Sequence, residues 1–215
     1  LADLEPDSWR HIALRGRAHA EQDDWSLAAA DFEACRGKDP EAIVEYNRAL
    51  VRLMTNQDDH YRSAVRALFD AQEHTTNGVA ANTTAWAACL IPKTGIDPER
   101  VVNLAQRAVD LLGTPEPLST LGVAHYRAGQ FAEAIKTLES SIAKQGQGGF
   151  IQDWAVLSLA YRALGQDTRA QQYMDRTTGW LSEQRDLRDR RATPDPQFTW
   201  QLRIEVPRLL ASPVP

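Results

Sequence analysis

Five histidines (His11, His19, His60, His74, His125) and two cysteines (Cys35, Cys89) are the side chains here best suited to metal or nucleophilic chemistry. A structural zinc site needs four such ligands at short paired spacings, and a reactive cysteine needs an electropositive neighbour. No histidine stands in a ligand motif with Cys, Asp or Glu, and two cysteines make no disulfide scaffold. His19 and His125 share one slot of a repeat, and both cysteines fall at small-residue positions, which predicts buried inert thiols. The acidic pairs Asp23–Asp24 and Asp58–Asp59 are adjacent, and neighbours on a helix do not face each other. Their expected role is N-capping. Gly146, Gly148 and Gly149 follow no strand, and the GxxxxGK[ST], GxSxG and HExxH patterns are absent. Asn82-Thr83-Thr84 spells a glycosylation acceptor without a secretory context. The run EQRDLRDRR holds four Arg, one Glu and two Asp, the pattern of a self-paired solvated face. No cofactor and no metal are expected, and the chain is expected not to be an enzyme.

The composition narrows the classes further. The chain has 215 residues and a formal net charge of −5, which argues against a nucleic-acid binder. Hydrophobic residues at 43% and charged residues at 25% are ordinary globular values. No apolar run approaches the ~18 residues of a membrane span. The chain opens on Leu1 with no signal peptide, so a cytoplasmic piece of a longer protein is expected.

One pattern returns along the chain and supplies the elements. Ala28, Phe32 and Cys35 recur in kind as Ala64/Leu68/Ala71, Val101/Ala105/Ala108, Ala134/Leu138/Ser141 and Ala170/Met174/Thr177. The first members are separated by 36, 37, 33 and 36 residues. Offsets of four and then three lie on one helical face. A second helix precedes each copy: PLSTLGVAHYRAG before the fourth, DWAVLSLAYRALG before the fifth, with Gly129 and Gly165 at the turns. Each unit is a helix–turn–helix, and a single pair cannot bury its own apolar face.

The segment LSTLGVAHYRAGQFAEAIKTLESSI resembles a tetratricopeptide repeat (TPR). Leu118, Leu121, Gly122, Ala134 and Leu138 match that pattern, with His125 in its aromatic slot. Gly16, Ala28, Phe32 and Pro40 match in the first copy, and Trp154, Leu157, Tyr161 and Ala170 in the fifth. The second copy has Leu50 in place of Gly, and the third keeps Trp86 before the unusual loop IPKTGIDPER. The order of parts also resembles the C-terminal TPR tails of large bacterial kinase or β-propeller proteins. The resemblance implies an all-α, right-handed superhelical solenoid of about five helix–turn–helix pairs plus C-terminal capping helices. Its domains would be a repeat domain over 1–180 and a capping helix and tail over 181–215, packed on the last repeat. ATPDP, with Pro194 and Pro196, reads as a linker, and KQGQGGF as a flexible insert. FTWQLRIEVPRLL, with Phe198, reads as an amphipathic helix that Pro207 would kink or divide.

In TPR folds the first helix of each pair lines a concave groove. The resemblance places Arg10 and Arg17 there from the first copy, and Asn47, Val51 and Met54 from the second. It adds Ser119, Val123, Tyr126 and Arg127 from the fourth, and Gln152 and Arg162 from the fifth. Four arginines would suit a protein or peptide partner with acidic groups. The function implied is a non-catalytic protein-interaction module of a bacterial signalling or scaffolding protein, with no nucleic acid and no membrane as partner. The alternative is structural self-assembly, with the apolar tail driving a homodimer.

Overall fold

A computed structural model describes residues 8–36, 41–55, 57–145, 148–190 and 199–211. Pro40, Gly146, Pro194, Pro196 and Phe198 lie outside the described residues. Within them the chain forms five helix pairs and one further helix. The pairs are α1 (Trp9–Glu21) with α2 (Trp25–Ala34), α3 (Ala42–Met54) with α4 (Asp58–Gln72), and α5 (Gly78–Leu90) with α6 (Pro98–Leu112). They continue as α7 (Glu116–Arg127) with α8 (Phe131–Gln145), and α9 (Ile151–Ala163) with α10 (Asp167–Asp189). The last helix is α11 (Trp200–Ala211). Each helix packs on its successor from α1 to α10, as stacked repeats require.

The small residues of the repeat set how closely the helices approach. A Cβ on Gly122 would stand 2.5 Å from Leu138, so only glycine lets α7 meet α8 at this spacing. Ala28, Ala134 and Ala170 are fully buried at the same repeat position. Gly129 and Gly165 hold φ near +76° and +70°, the left-handed turn that ends α7 and α9. The equivalent turn after α1 is made by Asp23, at φ +62°. Helix α5 is buried from Ala80 to Leu90 except at Asn82, since α3, α4, α6 and α7 pack against it.

Several local expectations are corrected. Asp24 occupies the N-cap position of α2 without a side-chain bond, and Asp58 and Asp59 lie in the first turn of α4 instead of capping it. There their charge favours the positive helix end, Asp59 pairs with Arg62 at 2.9 Å, and Asp58 with Arg208 at 3.2 Å. Side-chain caps among the described residues include Ser8, Asn77 and Asp97. The described end of the Gly-rich insert is fastened: Trp154 Nε1 donates to the Gly148 carbonyl at 2.7 Å, and Arg176 donates to it at 3.1 Å. Asn82, Thr83 and Thr84 lie inside α5 with both threonines buried, so the glycosylation sequon is occluded.

Helix α10 runs unbroken through residues 180 and 181, because WLSEQRDL continues the helix of the fifth pair. At 23 residues it is about 34 Å long, well beyond α9. Helix α11 likewise stays continuous through Pro207. Among the described residues no helix is long and apolar enough to cross a membrane.

Candidate functional site

Helix α11 crosses the concave face and touches α3, α5 and α9. Two apolar faces explain the position. Trp200, Ile204 and Leu209 join the main core. Leu202 and Val206 join a second cluster with Ile151, Trp154, Ala155 and Leu181. The Trp200 ring stacks on Phe32 at 6.0 Å and lies 6.3 Å from Trp25, which ties the end of the chain to the first pair. Polar contacts finish the strut. Arg203 donates to the Ala20 carbonyl at 3.0 Å and lies 3.5 Å from Asp23, which also pairs with Arg188 of α10. Arg208 donates to the Leu53 carbonyl at 2.5 Å. The tail therefore packs on the last repeat and on earlier ones as well. Among the described residues of α11, Trp200, Leu202, Ile204, Val206 and Leu209 are buried against the same chain.

Between α11 and the first helices of pairs two to five lies a cavity of about 380 Å³. Helix α3 gives it Tyr46, α5 gives Asn82 and Trp86, and α7 gives Glu116, Ser119 and Thr120. Phe150 and Gln152 close it at the start of α9, and α11 contributes Gln201 and Glu205. These residues recur at spacings of three and four, which brings them to one face of each helix. Among the described residues no Arg, Lys or His lines this cavity.

Glu205 is buried at its wall. Tyr46 Oη donates to Glu205 Oε1 at 2.5 Å, and the Trp86 indole N–H donates to the same carboxyl. Burial pushes the carboxyl up from its ordinary range, and these two donors pull it partly back. Burial and the Glu205 carboxyl together raise the Tyr46 phenol well above its usual value. Two lining residues, Asn82 and Gln152, each hold a buried amide oxygen, Oδ1 and Oε1, without a hydrogen-bond partner.

A second polar cluster sits behind the cavity. Ser141 Oγ donates to Asp153 Oδ2 at 3.2 Å and lies 3.0 Å from Ser119 Oγ. Gln145 donates to Ser141 at 2.9 Å, and the Phe150 amide donates to Asp153 at 3.4 Å. Burial pushes Asp153 up to about 6, against hydrogen bonds from Ser119, the Phe150 amide, Ser141 and Gln145 that favour its charged form.

Of the eleven groove residues carried over from the TPR resemblance, the cavity receives Ser119 and Gln152. Asn47 is buried beside it and accepts from Gln201 at 3.4 Å. Val123 and Tyr126 are core residues, with Tyr126 packed on Phe131 at 5.7 Å. Val51 is buried where α2, α3 and α4 meet, and Met54 lies beside α10 and Pro207. Arg127 donates to the Cys89 and Leu90 carbonyls at 2.7 and 3.1 Å. Helix α5 ends without a glycine cap, and this guanidinium satisfies its last carbonyls. Arg10 stacks on Trp9 at 4.4 Å and pairs with Glu41 at 3.6 Å. Arg17 and Arg162 are exposed away from the cavity.

The resemblance did not name Tyr46, Asn82, Phe150 or Glu205 as groove residues. Tyr46 and Asn82 sit at helical spacing from residues already on those faces, a signal the sequence did carry. Glu205 carried none, because its partner Tyr46 lies 159 residues away. Both cysteines are buried, and burial pushes the Cys89 thiol up to about 12, so it is an inert core side chain. Among the described residues no group of three His, Cys, Asp or Glu side chains is placed to hold a metal.

No family model and no curated protein matches the chain. Among solved structures, MamA AMB-1 is similar at 18% identity, over 78% of this chain and 96% of its own, with a TM-score of 0.50. MamA MSR-1 is similar at 15% identity, over 86% and 98%, with a TM-score of 0.49. The first likeness shows the fold alone: the chain is an all-α, TPR-like helical-repeat solenoid.

Proposed function

We propose that this chain is a non-catalytic protein-interaction module. It holds a segment of a partner protein in its concave groove, within a larger bacterial signalling or scaffolding protein of the cytoplasm. The observation that carries the reading is the cavity between α11 and the first helices of four pairs, two of whose lining residues, Asn82 and Gln152, each hold a buried amide oxygen without a partner. A buried acceptor without a donor is costly, so the site favours an occupant that brings N–H groups. A peptide backbone does so at every residue except proline. Of the residues expected to line the groove, Ser119 and Gln152 are the contacts this reading keeps.

The test is a random-peptide display against the full chain, followed by calorimetric titration of the enriched peptides. The double variant Asn82→Ala/Gln152→Ala should bind them about tenfold more weakly, the effect of two lost hydrogen bonds. Enriched peptides that bind the double variant with unchanged affinity would refute the groove assignment.

A further inference from the structure

We infer that the groove cavity accepts a basic side chain, lysine or arginine, of the partner segment, with Glu205 as counter-charge and Tyr46, Trp86 and Phe150 as walls. The inference rests on the groove-binding reading above and names the chemistry of its ligand.

Glu205 carries the argument. A buried carboxylate is retained at a cost unless a cation or several donors compensate it. Its two donors, Tyr46 and Trp86, are neutral, and among the described residues no Lys, Arg or His pairs with it. The same helix has arginines close at hand. Arg203 and Arg208 stand two and three residues away in sequence, yet Arg203 turns to the α1–α2 turn and Arg208 to the end of α3. The acidic partners of α11 at those ends, Glu21, Asp23 and Asp58, are matched with arginine. Of the described charged residues of α11, Glu205 is the one that lines the cavity.

The rest of the wall agrees in sign. Glu116 stands exposed at the rim, and the unpartnered atoms of Asn82 and Gln152 are acceptors. Every charged or unsatisfied group on this wall therefore asks for a donor. Three aromatic side chains line the same space, and aromatic faces attract cations. A guanidinium or ammonium satisfies all of these groups together. An acidic side chain would meet two carboxyl groups and no compensating cation. The arginines behind the expectation of an acidic partner point to backbone carbonyls, to Glu41 or to solvent, and none lines this cavity among the described residues.

The test uses the full chain with its tryptophan indoles isotopically labelled, and two probes of equal shape, butylguanidinium and neutral butylurea. The Trp86 indole resonance should shift saturably with butylguanidinium and about tenfold more weakly with butylurea. Glu205→Gln keeps an acceptor for Tyr46 and should lose that preference, whereas Glu205→Asp should keep part of it. Equal response to both probes, or an unchanged preference in Glu205→Gln, overturns the inference. Peptide display separates this failure from that of the groove reading. Enrichment of lysine- or arginine-bearing peptides that butylguanidinium displaces supports the inference. Enrichment of neutral or acidic peptides that need Asn82 and Gln152 overturns it and leaves the groove reading standing. No enrichment at all overturns both.

Discussion

Asp153 on α9 and Glu205 on α11 are both buried carboxyl groups, and the difference between their surroundings separates a structural network from a binding site. Asp153 is enclosed by Ser119, Ser141, Gln145 and the Phe150 amide, all from its own fold. Those bonds fasten α7, α8 and α9 to one another; Ser119 and Phe150 reach the cavity lining, but Asp153 does not. Glu205 has two donors on one side and open space on the other. Burial raises the pKa of both carboxyl groups, so a raised pKa alone does not mark a site. Asp153 Oδ1 is itself buried without a partner, so what distinguishes Glu205 is its place on the cavity, with aromatic walls and room for a ligand.

The largest effect should come from removing the strut that places Glu205. Trp200→Ala deletes a fully buried ring between α11 and the first pair. It should cost about 4 kcal/mol in urea-induced unfolding. A cost below about 1 kcal/mol would mean that α11 is not seated there.

The Asp153 cluster comes next, and its test is a pH slope. Its folded-state value, about 6, lies above the unfolded 3.8. The group therefore adds stability below pH 3.8, and that stability is lost as pH rises through 6. Between pH 7 and pH 4 the wild type should gain about 2 kcal/mol relative to Asp153→Asn. Parallel pH profiles for the two proteins would contradict the enclosed-network account.

The smallest stability effect should be at the open site. Glu205→Gln keeps the acceptor for Tyr46 and Trp86 and removes only an unpaired charge. Unfolding free energy at pH 7 should change by less than about 1 kcal/mol. A loss as large as that at Trp200 would make Glu205 a structural residue like Asp153, and the comparison would collapse.

The solenoid was legible because its signal is local and repeated. Small residues at offsets of four and three recur five times, and each must sit where two helices touch, as Gly122 does against Leu138. Turn chemistry was legible for the same reason at Gly129 and Gly165. It was illegible at Asp23, where a left-handed aspartate occupies the glycine slot and binds Arg188 and Arg203 from the far end of the chain. The groove was legible in its helices but not in its residues. Arg127 stood on the right helix, yet its long side chain reaches the open carbonyls of α5. Contacts of α11 with Tyr46, Asn47, Leu53 and Asp58 span 150 residues or more, and no local periodicity records them.

The most direct measurement is a carbon-detected NMR titration of the Asp153 and Glu205 carboxyl groups, with and without saturating butylguanidinium. A cation beside a carboxyl favours its charged form and lowers its pKa. The account predicts that Glu205 shifts downward with the probe while Asp153 stays near 6. Equal shifts at both carboxyls, or none at Glu205, would contradict it.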